Sequence, residues 1–536
     1  MIPDGLSMLH SLQPEIILIV GGIVILLTGL APPRATSSVA FVLSMLTAGL
    51  ALWWSWTTPV GAGLVAGLRD DSLVYYARAL SLGVGLLILL SFRHVPEPNE
   101  RAEFFSLMLF SLAGISLVAV ANDLVLLFLA LELVSVPTYI LIGLSRRDIR
   151  AQEATGKYFF LGTFAAAITL YGFSFLYGAT GTTTMFATES DVPSIAAFVQ
   201  LPSNATDPFF VLGLLLAIAG LAFKLAAVPL HFYVADVYQG AAHVVTGMLG
   251  FVPKFAGILA LARVLSLTGW HYGEGLFWLI WVMAAATMLV GNTLALMQHN
   301  VKRMLAYSSV AHSGYMLVGL LAGPGSPTNP SAGPLSSGLT AVLFYMAIYA
   351  VMNLGAFAVL SMFRKPGEGE EDAAETLDDL AGVATRHPWG SLALAVCVLS
   401  LMGLPPTGGF FGKLYVFSAA LSSNADTPRE GAMLVLVIVG VLNSAIAAAY
   451  YLRIIAALYL RPISDAGRRI VASPCMGLRT CVVICTIIVL LLFVQSGPIL
   501  SRSQAATRDL RTVPGWSGST ADASAEGRPV HDGTVR

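Results

Sequence analysis

Apolar runs of about 20 residues, separated by short polar stretches, recur along the chain from residue 13 to residue 500. Wound as a helix, such a run spans the hydrocarbon core of a bilayer, which is about 30 Å thick. No water reaches the backbone amides there, so these runs are predicted to be helices. Windows of this length predict about fourteen spans, at 13–31, 37–57, 72–92, 104–121, 123–144, 156–178, 208–235, 241–266, 275–297, 303–322, 337–363, 389–422, 431–460 and 478–500. The span 389–422 is too long for one straight crossing and contains GLPPTGGFFGK. It is predicted to be a broken helix with a non-helical centre.

The seventh and eighth spans carry the sharpest breach of the apolar pattern. Each has one lysine deep in apolar sequence, Lys224 and Lys254. Pro229 follows the first lysine by five residues, and Pro253 immediately precedes the second. A lysine in hydrocarbon costs about 2.5–3.5 kcal/mol even on the lenient insertion scale. Proline removes a backbone donor and loosens the helix at that level. Cost and looseness together, twice in one hairpin, point to an internal polar site that handles charge.

Composition narrows the class. The 536 residues are 56% hydrophobic and 11% charged, with mean hydropathy +0.78, where soluble proteins carry about a quarter charged residues. The fold class is therefore an all-α polytopic membrane protein. The net charge of −1 selects no partner, and nothing suggests nucleic acid. Cys397, Cys475, Cys481 and Cys485 lie in or beside apolar segments without metal-ligand spacing, so no metal is expected. The first run opens on Glu15, with no basic segment before it and no clear cleavage site after it, and is expected to be retained.

Lysine and arginine concentrate in alternate loops: Arg34; Arg93 and Arg101; Arg146, Arg147 and Arg150; Lys302 and Arg303; Arg364, Lys365 and Arg386; Arg461, Arg468 and Arg469. The opposite loops hold little beyond Arg69, Arg263 and Arg429. The first set should be cytoplasmic, which places both termini on the far side. The polar tail 501–536 is predicted to be disordered. The loop 364–388, with GEGEEDAAETLDDL, reads by default as a solvated acidic loop, and otherwise as a docking surface for a cytoplasmic partner.

Among the ionisable residues inside spans, the candidates are Glu132, Lys157, Lys224, His231, Lys254, His312 and Lys413. A snorkelling end residue or a structural ion pair is the bland reading of each. It weighs most on Lys157 and His312. It weighs least on Glu132, Lys224, Lys254 and Lys413, which are mid-span or beside a helix break. Lys224 and His231 are seven residues apart, so an unbroken helix would set them on one face, although Pro229 stands between them. Arginine, which cannot release its proton, is not among these candidates. Burial disfavours a charged lysine and a nearby carboxylate favours it, so moving one against the other makes a switchable proton site. One proton crossing 100 mV costs about 2.3 kcal/mol, roughly two pKa units.

The two proline-interrupted, lysine-bearing spans lie five spans apart, which suggests inverted five-helix repeats. At this point EFFSLMLFSLAGISLVAVANDLVLLFLALELVSVPTYIL, GKYFFLGTFAAAITLYG, AFKLAAVPLHFYVADVYQGA, GNTLALMQHNVKRMLAYSSVAHSGYMLVG and LMGLPPTGGFFGKLYVF together resemble one family over residues 103–418. It is subunit N of the proton-pumping NADH:quinone oxidoreductase, respiratory complex I, an antiporter-like subunit. The resemblance implies an N-terminal three-helix segment at 1–103, repeats at 104–266 and 275–460 with broken seventh and twelfth helices, and a C-terminal helix at 461–500.

It also implies that Glu132 modulates Lys224, that Lys254 is the central lysine and Lys413 the terminal one, and that Lys157 and His231 lie along the same hydrated axis. Lysine at 413 argues against subunit M, which usually has glutamate there. An end after one further span argues against subunit L. The implied function is proton translocation in the membrane arm, driven by NADH oxidation and quinone reduction on other subunits. NADH, FMN, iron–sulfur clusters and quinone are then expected on partner subunits, with no cofactor on this chain. The implied partners are the other antiporter-like subunits, the small K-type subunit and the lipid bilayer, in a bacterial inner (plasma) membrane. Two alternatives stand beside this reading: a subunit of a multisubunit cation/proton antiporter, and a purely structural membrane-arm subunit.

Overall fold

A computed structural model describes residues 9–30, 33–57, 63–65, 67–92, 98–187, 193–325, 336–365, 374–422 and 428–511. Its helices begin where short polar side chains can accept the first free backbone amides. Asp71, Asp123, Asp148, Asp207, Asn300 and Ser337 each accept such an N–H at a helix start.

The first six helices are α1 (Gln13–Thr28), α2 (Pro33–Thr57), α3 (Ser72–Ser91), α4 (Arg101–Val120), α5 (Leu124–Ser145) and α6 (Ile149–Thr180). The seventh predicted span holds α7 (Pro208–Lys224) and the short α8 (Val234–Gly240), and the eighth holds α9 (His243–Leu249) and α10 (Val252–Ser266). Then come α11 (Glu274–Leu296), α12 (Val301–Ala322) and α13 (Gly338–Met362). The twelfth span is split into α14 (Pro388–Met402) and α15 (Gly408–Ser422). The chain continues through α16 (Glu430–Tyr459), α17 (Met476–Val494) and α18 (Gly497–Arg511).

Among the described residues, 11 helices are long and apolar enough to cross a membrane, and Gln13–Thr28, Pro208–Lys224 and Pro388–Met402 are shorter apolar helices. Each of the fourteen predicted spans overlaps one of these. Among the described residues, strand is confined to two clips: Gly63–Val65 against Leu68–Asp70, and Phe363–Arg364 against Val471–Ala472.

Every residue of α13 is buried, and α12 is nearly so, while α1 and α2 turn large apolar side chains outward. The bundle is therefore centred on α13, α12 and α9–α10. Close approach of α6 and α7 depends on small residues: a Cβ on Gly172 would lie 2.8 Å from the Gly213 carbonyl oxygen.

Three helix interruptions position the site. The α7 helix stops at Lys224, and Pro229 cannot supply the N–H that a continuing helix would send to the Leu225 carbonyl. Pro253 likewise leaves Leu249 without its helical donor, and α9 gives way to α10 there. Gly403 takes the left-handed conformation, φ 87°, and closes α14. The break predicted in the twelfth span is thus present.

Two expectations are corrected. The tail was expected to be disordered from residue 501, yet α18 runs to Arg511. Ser503, Ala506, Thr507 and Leu510 repeat at helical spacing on its buried side. Thr507 meets Thr340 at 2.8 Å, and Asp509 accepts the Ser72 N–H at 3.0 Å. Residues 512–536 lie outside the described residues. The acidic loop was expected to be solvated, yet its described part docks on the bundle. The Glu375 carboxylate accepts from Arg146 at 3.0 Å and from Lys302 at 3.3 Å, and Asp379 pairs with Lys365 at 2.8 Å. Residues 366–373 lie outside the described residues.

Candidate functional site

Glu132 and Ser135 share one face of α5, a turn apart, and both meet the amine of Lys224. The Glu132 carboxylate is 3.6 Å from Lys224 Nζ, and Lys224 donates to Ser135 Oγ. Because α7 ends at Lys224, the amine sits at the negative end of that helix, which favours a cation. The Lys224 side chain is 5% exposed, but that of Glu132 is 26% exposed. The carboxylate therefore lies at the edge of the bundle, where a neighbour could reach it.

Lys254 falls in the first turn of α10 because Pro253 starts that helix. It donates to Ser313 Oγ at 2.8 Å and to the Ser309 carbonyl. Ser313 in turn donates to the Leu225 carbonyl at 2.5 Å, the acceptor that Pro229 leaves free. Among the described residues Lys254 pairs with no carboxylate, although it is 2% exposed. A cavity of about 10 Å³, with Tyr158, Tyr233 and Tyr238 in its wall, lies between Lys224 and Lys254. That is room for about one water.

The polar row continues along α12. Ser309 Oγ accepts from Tyr349 at 2.8 Å and meets Tyr238 at 3.1 Å. His312 Nδ1 bonds the Tyr345 hydroxyl at 2.5 Å, and its Nε2 bonds that of Tyr451 at 3.1 Å, while Tyr451 also bonds Ser308. Tyr315, one turn beyond, carries Lys413 over its ring at 4.9 Å. Lys413 donates to the Met402 carbonyl at 2.8 Å. Met402 is the last residue of α14, so this second amine also answers a helix C-terminus.

The structure thus brings Glu132, Lys224, Lys254, His312 and Lys413 into one row. Lys157 and His231 stand apart from it. Lys157 is 41% exposed and pairs with Glu153 at 2.6 Å and Asp236 at 2.8 Å. His231 lies in the non-helical stretch after α7, so the shared face with Lys224 that an unbroken helix would give does not form. Tyr238, Ser309, Ser313, Tyr345, Tyr349 and Tyr451 join the row but escape a search for charges in apolar sequence. A hydroxyl on an apolar face was the only signal they offered.

Lys302 also escaped, because it reads as a loop cation. Its side chain is fully buried and bonds the Gln239 and Ala241 carbonyls at 2.9 and 2.6 Å. Burial pushes the Glu375 carboxyl up, but Lys302, His243 and Arg146 outweigh it and hold the group at about 2. A depressed carboxylate stabilises the docked loop above its ordinary range, near pH 4.5, and loses that contribution as pH falls towards about 2. Proteolysis of the loop is therefore expected to stay flat at neutral pH and to rise only below about pH 4.5. Glu375→Gln should release the loop at every pH, at a cost of about 1–3 kcal/mol. Limited proteolysis across a pH series checks both statements.

Comparison with known proteins places this geometry in a family. Residues 121–446 match the family model described as NADH:quinone oxidoreductase/Mrp antiporter, TM. The chain is 37% identical over 458 residues to NADH-quinone oxidoreductase subunit N of Trichlorobacter lovleyi, covering 85% of this chain and 88% of that one. A chain of respiratory complex I from Thermus thermophilus with bound aureothin superposes with TM-score 0.72 at 30% identity, over 92% of this chain and 99% of that one. A chain of the Mrp complex from Dietzia sp. DQ12-45-1b shares the fold, with TM-score 0.74 at 21% identity over 94% and 98%. With this match to the family model and this identity to a curated relative over most of both lengths, the chain belongs to the NADH:quinone oxidoreductase/Mrp antiporter transmembrane family, in its NADH-quinone oxidoreductase subunit N group.

Proposed function

We propose that this chain is a multi-pass membrane-arm subunit of NADH-quinone oxidoreductase and translocates protons while other subunits oxidise NADH and reduce quinone. One observation carries the reading: the amines of Lys224, Lys254 and Lys413 are buried in one row of hydroxyls, imidazole and freed carbonyls. Lysine accepts and releases protons, and serine, tyrosine and histidine take one proton while giving another. Protons enter from the cytoplasmic side and reach Lys224. One water in the cavity passes them to Lys254, and the Ser309–Tyr349 and His312–Tyr451 groups carry them towards Lys413 and the far side. Glu132 sets the charge on Lys224 from the edge of the bundle.

The arginine-rich loops support a cytoplasmic assignment for the end that holds Arg146, Lys302 and Glu375, with both termini opposite, in a bacterial plasma membrane. The lysine at the end of α7 and the lysine bonded to the end of α14 support two inverted repeats, 104–266 and 275–460, after the three-helix segment 1–103. The sequence holds no dinucleotide glycine fingerprint and no iron–sulfur cysteine set. We therefore assign redox chemistry, NADH, FMN, iron–sulfur clusters and quinone to partner subunits, among them the other antiporter-like subunits and a small K-type neighbour.

Glu132→Gln tests the modulating role. It leaves Lys224 its bond to Ser135 but removes the negative charge. A severalfold fall in proton translocation per electron is expected, with assembly intact. An unchanged ratio in proteoliposomes sinks the assignment. The shared fold of the Mrp chain keeps a cation/proton antiporter as the second reading. Co-purification decides it, since iron–sulfur and flavin subunits accompany the chain only under the first.

A further inference from the structure

The proton row uses the centre of the bundle and leaves a separate groove at its edge. This groove has a volume of about 410 Å³ and runs between α2 and α3, roofed by α18. That volume falls in the range of pockets that hold small ligands, roughly 300–1,000 Å³. Its two ends differ in chemistry. Trp56, Tyr75 and Arg502 line the end where α2 finishes, α3 begins and α18 crosses. Leu52, Leu80 and Ala347 line the other end. Leu80 is eight residues past Ser72, about 12 Å deeper along α3. The groove therefore grades from a cation and hydroxyls to hydrocarbon along the direction of the spans.

Its roof is an unusual element for this chain. The α18 helix is polar overall and lies immediately after the last span, α17. Its Ser503, Ala506, Thr507 and Leu510 side is committed to the bundle, and Arg502 faces the groove. The Arg502 guanidinium stacks on Trp56 at 4.3 Å and, among the described residues, pairs with no carboxylate. Tryptophan beside an uncompensated arginine at the end of a span is the arrangement that meets lipid headgroups.

We propose that this groove binds an anionic phospholipid of the leaflet at the α18 end of the bundle, with its phosphate on Arg502 and one acyl chain along Leu80 and Ala347. The proposal does not depend on the proton route.

The test uses the whole complex reconstituted in mixed vesicles. These contain photoactivatable phosphatidylglycerol in one arm and photoactivatable phosphatidylcholine with the same chains in the other. Mapping of labelled peptides should find the 72–80 segment of α3 marked roughly fivefold more by the glycerol lipid, the preference that one basic side chain gives near an anionic surface. Arg502→Gln, at an exposed position, should bring the two lipids level. Leu80→Trp should block labelling by both. Equal labelling in the unmodified complex, labelling indifferent to Arg502→Gln, or a neighbouring subunit cross-linked into the groove in place of lipid each overturns the proposal. Inorganic phosphate that competes as well as lipid does the same, since it reduces the site to an ion contact.

Discussion

Lys254→Met in the assembled complex is expected to lower proton translocation per electron at least about tenfold, equivalent to about 1.4 kcal/mol in the transfer barrier. Methionine fills similar space, so packing changes little. It removes a donor to Ser313 and to the Ser309 carbonyl, together with the amine that links the cavity to Ser309. The fold should tolerate the change well, because a buried cation without a carboxylate partner is costly to keep. Oxidation of NADH with an artificial acceptor is therefore expected to persist. Lys254→Arg sharpens the test, since it keeps a cation but cannot release the proton. Both variants should pump poorly, whereas a role limited to charge would be rescued by arginine. Unchanged pumping in Lys254→Met, measured against electron flux in proteoliposomes, defeats the relay. Loss of the assembled complex in both variants points instead to a structural subunit.

How far this site could be read in advance depends on the kind of signal each part gives. The spans were legible because lipid forces every crossing to be a long apolar helix, a pattern that needs no tertiary knowledge. Lys224, Lys254 and Lys413 were legible because charge in apolar sequence is rare and each sits beside a proline or glycine break. The carbonyls that those breaks liberate were not. That Leu225 accepts from Ser313, and Met402 from Lys413, follows from which helix lies opposite the gap. The buried tyrosines were equally hidden, since a tyrosine at helical spacing looks like core until its hydroxyl finds a partner. Lys302 and Glu375 show the opposite failure. Both look like solvated loop charges, yet they pair with each other where the loop docks on the bundle. The tail misled for a third reason, because composition averaged over 501–536 conceals the small-residue face of 503–510.

The second large effect concerns stability. Asp71→Asn is expected to destabilise the protein by about 3–5 kcal/mol, the cost of removing one partner from a buried ion pair. Asp71 and Arg263 are 2% and 0% exposed and form a two-pronged pair at 2.6 and 2.9 Å. Asp71 also caps α3 through the Val74 N–H and pairs with Arg69 at 3.1 Å. Burial pushes the Asp71 carboxyl up, but Arg263 and Arg69 together hold it below the usual carboxylate range. Its contribution is therefore complete at neutral pH and lost only in acid, as pH falls through that lowered value.

Asparagine can still cap the helix, so the loss isolates the charge. Arg263 would keep its bonds to the Ala119 carbonyl, at 3.2 and 2.6 Å, but would remain a buried cation without an anion. Because Asp71 opens α3 and Arg263 lies in the last turn of α10, the damage should appear as detachment of α1–α3 from the rest of the bundle. Protease cleavage before α4 and a lowered midpoint of thermal unfolding are the measurements. Arg263→Met and Arg69→Met together with Asp71→Ser remove all three charges and keep a cap, and should recover most of the loss. If this triple variant is as unstable as Asp71→Asn, the unpaired charge is not the cause, and the packing of the arginine side chains is.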